Sequence, residues 1–135
     1  MNLEPMRRFM LRLLCAVFAA IGAFALFAPQ VFLSAMELTP STPSALAEMR
    51  AAYSGTFAGL AALCIAGLGH KDYQRLALGI CAIVLGSFTL ARAFSLALDG
   101  MPNTLAWVNH GLEALGFIIT WWLWRGSPPP TKVET

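Results

Sequence analysis

Four long apolar stretches, separated by short polar breaks, constrain this chain more than any other feature. They cover about residues 9–28, 48–69, 74–98 and 104–124. Each stretch is long enough to cross a bilayer, because about 20 helical residues span a hydrocarbon core of roughly 30 Å. Helix is favoured over strand, since the stretches are continuously apolar and backbone groups in lipid need hydrogen bonds within their own segment. The sequence therefore predicts an all-α fold, an integral membrane four-helix bundle with antiparallel, up-down helices.

Composition agrees with a membrane protein of one domain. Hydrophobic residues make up 58% of the 135-residue chain and charged residues only 12%, whereas roughly a quarter of the residues in a soluble domain are charged. The basic residues are scattered and form no run with interleaved aromatic residues, which argues against a nucleic-acid partner. We place the single four-helix domain at residues 1–126 and predict a disordered tail at 127–135, where SPPPTKVET is too polar to pack.

Basic residues near the ends of the stretches predict the orientation. Seven of the nine Lys and Arg residues fall on one side of the bundle, and this side should be cytoplasmic. Both termini are then cytoplasmic, and the protein is expected to be multi-pass in a bacterial inner (cytoplasmic) membrane. The first stretch also resembles a secretory signal, but it is longer than a usual signal core, so we expect it to be retained. The seven residues are Arg7, Arg8, Arg12, Lys71, Arg75, Arg125 and Lys132.

The two remaining arginines belong to a set of polar residues on the opposite, periplasmic side. Glu113 is the deepest of this set, about 12 Å into the fourth helix. A carboxylate there costs several kcal/mol unless it is paired. Arg92 lies about ten residues before Pro102 and Glu113 eleven after it, so adjacent antiparallel helices would bring the two together. The full set that we assign to a polar cluster or ligand site is Glu48, Arg50, Tyr53, Arg92, Ser95, Asp99, His110 and Glu113.

Small residues form a stripe along the second helix, with Glu48 at its top. Gly55 and Gly59 give this stripe a small-xxx-small spacing, which permits close helix packing. We therefore expect the stripe to face the other helices and to aim Glu48 into the bundle. Arg50 lies about 200° away around the same helix, nearer to Tyr53.

Two interpretations of the polar set stay open. In the first, the residues are structural: Arg92 and Glu113 fix the helix register, and Asp99 caps the fourth helix. In the second, they border a charged pocket that binds or senses a lipid or other amphipathic small molecule. Alternatives within the second are a membrane enzyme with acid–base, isomerase-like chemistry, a small transporter, or a redox accessory subunit. Membrane lipids are the expected partners, and a homo-oligomer stays open.

No metal or cofactor is predicted. His110 and Glu113 share one helix face, but a single histidine without a second ligand pair is a weak metal signal. Neither a nucleophile elbow nor a glycine-rich phosphate loop is present, so no catalytic residue is assigned. The cysteines Cys15, Cys64 and Cys81 each sit in an apolar stretch without a CxxC motif, as is typical of packing thiols.

Three stretches together resemble a known family: AEMRAAYSG at 47–55, ARAFSLALDGMP at 91–102, and the glutamate of HGLEALG at 110–116. They are similar to the bacterial four-helix membrane family known as domain of unknown function 4345. Ser54 and Ala91 depart from its pattern, which has glycine at both positions. The resemblance implies a four-helix inner-membrane protein without an assigned activity. A looser similarity to DoxX-like membrane proteins implies a quinone or redox accessory role. The family's motif residues fall on Glu48, Arg50, Tyr53, Arg92, Ser95, Asp99, Gly100 and Glu113.

Overall fold

A computed structural model describes residues 3–127, which form six α-helices, one short π-helix and no strand. The prediction of an all-α fold is confirmed. A π-helix, Ala51–Gly55, joins the third and fourth α-helices into one continuous segment. The α-helices are α1 Glu4–Phe27, α2 Pro29–Ala35, α3 Pro43–Arg50, α4 Thr56–Gly69, α5 Lys71–Asp99 and α6 Thr104–Arg125.

Three helical segments in this part of the chain are long and apolar enough to cross a membrane. They are α1, the continuous segment Pro43–Gly69, and α5. Helix α6 has 22 residues but contains no 18-residue stretch as apolar as those of the three segments, because Asn109, His110 and Glu113 interrupt it. The structure is thus compatible with a membrane protein, whereas the fourth span of the predicted bundle stays a prediction.

Capping side chains set where two of the helices begin. The Thr42 side chain accepts a hydrogen bond from the backbone N–H of Ala45 (3.1 Å) at the start of α3. The Asn103 side chain accepts one from Ala106 (2.9 Å) at the start of α6. The structural interpretation gave this cap to Asp99, and that part of it is wrong, because a cap must directly precede the first helical residue, and Asp99 is exposed at the end of α5.

Two glycines mark where consecutive long helices approach each other closely. Near the C-terminus of α1, a Cβ atom added to Gly22 would lie 3.3 Å from the backbone nitrogen of Ala58 at the start of α4. Near the other end of α4, a Cβ atom at Gly67 would lie 3.2 Å from Leu11 of α1 and 2.8 Å from Ala77 of α5. Gly67 therefore marks the point where three helices converge.

The core is concentrated at one end of the bundle. We call this the closed end; it comprises the N-terminus of α1, the turn from α4 to α5, and the C-terminus of α6. The buried positions of α5 run from Gln74 to Gly86 and then stop. We call the opposite end, with residues 28–42 and 99–104, the open end. Fully buried side chains of the core are Leu11, Cys64, Leu78, Cys81 and Leu123.

A buried arginine ties the helices together at the closed end. Arg7 donates from Nε to the carbonyl of Leu123 (3.4 Å) and from Nη2 to the carbonyl of Gly126. Helix C-termini leave carbonyls without intrahelical partners, and a cation there is favourable. Ser127 donates from its hydroxyl to the Leu123 carbonyl (2.8 Å) and is buried, so the predicted disordered tail is wrong at this residue. The rest of that tail, residues 128–135, lies outside the described residues.

A second, smaller cluster lies at the open end, around the short helix α2. Phe32 and Leu33 of this helix are buried together with Ala25 of α1. The ring of Tyr53 packs edge-on against Phe32, with 5.3 Å between centroids. The sequence predicts no helix for this segment, which lies between the first two apolar stretches. Its helix folds back because Pro29 ends α1 and suits the first turn of a new helix.

Candidate functional site

The predicted ion pair between α5 and α6 forms. Arg92 donates from Nε to Oε2 of Glu113 (2.7 Å) and from Nη2 to Oε1 (3.1 Å), which is a bidentate arrangement. The Arg92 side chain is 38% exposed and the Glu113 side chain 16% exposed. The carboxylate thus lies between the helices, whereas the guanidinium reaches toward the surface. Two parallel hydrogen bonds fix the plane of that guanidinium.

A cavity of about 210 Å³ adjoins this pair at the open end. It lies between α5 and α6 on one side and the segment after α2, with the π-helix, on the other. Both Tyr53 and Arg92 of the predicted set line it. The complete lining is Ala35, Met36, Leu38, Tyr53, Arg92, Asn103, Leu105, Ala106 and Asn109.

The cavity has a mixed lining. Tyr53, Arg92 and Asn109 bring polar groups from three separate helical segments, while Met36 and Leu38 bring apolar ones. Binding sites for small molecules commonly combine mostly apolar walls with a few polar groups that fix orientation. The arrangement is therefore suited to a molecule with both a polar and an apolar part.

Three residues of the predicted set lie away from the cavity. Glu48, Ser95 and Asp99 are all exposed on the surface of the described chain. The prediction that Glu48 is aimed into the bundle is therefore wrong. Ser95 and Asp99 follow Arg92 along α5, but this part of the helix extends past the packed core. Residues on the same face as Arg92 are therefore no longer enclosed between helices.

Arg50 and His110 are only partly buried, and each has one nitrogen without a partner. Among the described residues, Nε of Arg50 and Nδ1 of His110 are shielded and unbonded. The His110 ring packs edge-on against Trp107, with 6.1 Å between centroids. Neither residue lines the cavity. The structure thus brings together Tyr53, Arg92 and Glu113, but not the complete predicted set.

The glycine stripe also faces outward. Gly55 and Gly59 are exposed, and a Cβ atom added to either would meet nothing within 4 Å. The prediction that this stripe packs against the other helices of the chain is wrong. The buried face of α4 is formed instead by Leu60, Cys64 and Gly67. In a helix that is apolar all round, small size alone does not show which side faces inward.

Comparison with known families assigns the chain. A family model described as Domain of unknown function (DUF4345) matches residues 6–124. The chain belongs to the DUF4345 family. Neither a curated protein nor a solved structure matches it. The resemblance to this family drawn from the sequence is confirmed, whereas the looser similarity to DoxX-like proteins is not shown.

Two of the three sequence motifs of this DUF4345 chain contain unusual backbone conformations. The first, residues 47–55, contains the π-helix, in which the Ser54 hydroxyl donates to the Arg50 carbonyl (2.5 Å). Single π-turns inside α-helices occur frequently at functional sites. In the second, Gly100 has φ +91°, a backbone conformation that favours glycine and ends α5. Sequence periodicity did not reveal the π-turn, because it assumes 3.6 residues per turn.

The contacts that set the register of α5 against α6 in this DUF4345 chain were not predicted from the sequence. A Cβ atom added to Gly79 would lie 2.8 Å from Nε1 of Trp124, and one added to Gly86 would lie 3.0 Å from the ring of Phe117. The two glycines are seven residues apart, and so are the two aromatic residues. This matching spacing of glycines and large rings on consecutive helices is the sequence pattern from which the register could have been predicted. It fixes the register that brings Arg92 to Glu113.

Potential metal ligands do not gather in the described part of this DUF4345 chain. Residues 3–127 contain no group of three or more His, Cys, Asp or Glu side chains placed to hold an ion. Cys64 and Cys81 do meet, with 3.7 Å between their sulfur atoms, inside the core of the closed end. The thiols therefore contribute to packing between α4 and α5.

Proposed function

We propose that this DUF4345 protein is a multi-pass membrane protein that binds the polar head of a lipid or other amphipathic small molecule at its open end. The cavity beside the Arg92–Glu113 pair carries this proposal. Pockets that enclose a whole drug-sized ligand measure about 300–1,000 Å³. A cavity of about 210 Å³ suits a head group instead, with the apolar tail left in the bilayer.

The proposed orientation places the closed end in the cytoplasm and the open end on the periplasmic side of a bacterial inner membrane. The basic residues of α1, the α4–α5 turn and the end of α6 support it, since cytoplasmic ends carry an excess of Lys and Arg. Helix α6 is then the fourth span, and pairing with Arg92 lowers the cost of Glu113 in the membrane. The periplasmic cavity thus opens toward the outer head groups.

Fusion proteins test this orientation. A fluorescent protein attached after residue 135 should fluoresce in a bacterial cell, because the C-terminus is proposed to be cytoplasmic. Alkaline phosphatase inserted in the open-end turn, after Gly100, should be active, because this enzyme requires the periplasm. A non-fluorescent fusion at residue 135, together with an active phosphatase fusion at residue 135, would show that the orientation is the opposite one.

An acid–base enzyme finds less support than binding. His110 and Glu113 do not line the cavity, and Asp99 is exposed on the surface. A general acid or base must come within hydrogen-bond reach of its substrate. The competing structural interpretation, in which the ion pair only fixes the register, needs no ligand at all.

A cavity-filling variant tests binding while leaving the ion pair intact. Ala106 lines the cavity, so Ala106→Phe should occupy the space of the head group. Ala97→Phe adds the same side chain at an exposed position of α5 and serves as the control. Native mass spectrometry of protein released from membranes should find an amphiphile on the wild type and on Ala97→Phe, but not on Ala106→Phe. An unloaded wild type, or equal loading of all three, would favour the structural interpretation.

A further inference from the structure

The charge that borders the cavity is already neutralised. Arg92 is the one charged residue among those that line it. Its guanidinium makes two hydrogen bonds to Glu113, and this carboxylate is mostly buried between α5 and α6. A ligand in the cavity therefore meets an ion pair without net charge, and not a free cation.

The cavity nevertheless offers hydrogen-bond donors. A guanidinium has five N–H groups, and the bonds to Glu113 use two of those on Arg92. The other three have no partner among the described residues. The side-chain oxygen of Asn103 already accepts the N–H of Ala106, so its amide group is left to donate. Arg92 and Asn103 thus both bring unused hydrogen-bond donors to the polar side of the cavity.

An anion would gain little from this arrangement. A phosphate bonded to Arg92 would also lie close to the Glu113 carboxylate, and repulsion from this carboxylate offsets the attraction to the guanidinium. An uncharged oxygen gains the hydrogen bonds without that repulsion. We infer that the head group is uncharged and presents acceptor oxygens, as hydroxyl, ester or ketone groups do. This inference rests on the proposed binding function.

Two probes that differ only in a phosphate test it. Full-length protein in a nonionic detergent is titrated with 1-oleoylglycerol and, separately, with 1-oleoylglycerol 3-phosphate, and binding is followed by native mass spectrometry. We expect the uncharged probe to bind at least about tenfold more tightly. Equal or tighter binding of the phosphate probe would overturn the inference but leave the proposed function standing. If neither probe binds, or if Ala106→Phe binds both as the wild type does, the proposed function fails as well.

Removing the carboxylate should reverse the preference. In Glu113→Gln the amide still accepts a hydrogen bond, but Arg92 keeps its charge. Binding of the phosphate probe should then tighten about tenfold, with little change for 1-oleoylglycerol. Glu48→Gln raises the net charge by the same one unit at an exposed site of α3, away from the cavity, and should alter neither. Unchanged phosphate binding by folded Glu113→Gln would contradict the inference, and the wild-type comparison stands on its own if this variant does not fold.

Discussion

The closed and open ends of the molecule contain similar residue types that differ in burial and in their contacts. The Arg7 side chain at the closed end is 8% exposed and donates to backbone carbonyls at the C-terminal end of α6. Arg92 near the open end is 38% exposed, pairs with a side chain and borders a cavity. Gly67 likewise lies where three helices meet, whereas Gly59 faces outward with nothing near it. At the closed end these groups are enclosed by neighbouring helices, whereas at the open end they stay exposed.

The largest effect on stability should come from adding a side chain at Gly67, where three helices converge. Gly67→Leu places a side chain where a Cβ atom alone would lie 2.8 Å from the Cβ of Ala77, and neither backbone can yield easily. We expect a loss of about 3 kcal/mol in the free energy of unfolding, at the upper end for overpacked cores. Reversible unfolding in mixed micelles measures it. The control Gly59→Leu should leave the free energy of unfolding unchanged. Equal effects of the two substitutions would contradict the distinction between packed and outward-facing glycines.

An intermediate effect should distinguish the two arginines. Arg7→Gln removes charged hydrogen bonds to the C-terminus of α6 and should lower the free energy of unfolding by about 2 kcal/mol. Arg92→Gln removes a partly exposed ion pair and should cost about 1 kcal/mol. Amphiphile binding should show the opposite order, with loss only in Arg92→Gln. If Arg7→Gln also abolished binding in folded protein, the two ends would not be functionally separate.

The smallest effect concerns the helix cap at the open end. Asn103→Ala removes the side-chain oxygen that accepts the N–H of Ala106 and should cost about 1 kcal/mol in the free energy of unfolding. Asp99→Ala, at the position that the structural interpretation assigned as the cap, should stay within about 0.5 kcal/mol of the wild type. Thermal unfolding followed by circular dichroism compares them. A larger loss in Asp99→Ala than in Asn103→Ala would show that Asp99, and not Asn103, caps α6.

Part of the candidate site could be read from the sequence. Arg92 and Glu113 were paired correctly, because two helices joined by a short turn bring residues at equal distances from the turn side by side. Glu48 and the Gly55–Gly59 stripe were oriented wrongly. The spacing of polar and small residues shows that they share one face of an otherwise apolar helix. It does not show whether this face points inward, because that depends on the neighbouring helices.

Local sequence was enough to predict the helical class, three membrane-compatible segments, the family and one ion pair. Each depends on composition, motif spacing or the distance from a turn, which a chain carries without its fold. Contacts between helices were needed to show that α2 packs back against α1, that a π-turn contains Tyr53, and that a cavity remains beside Arg92. These features depend on how closely distant helices approach. That approach is set by contacts such as Gly67 with Ala77 and Gly79 with Trp124, which are far apart along the chain or on separate helices.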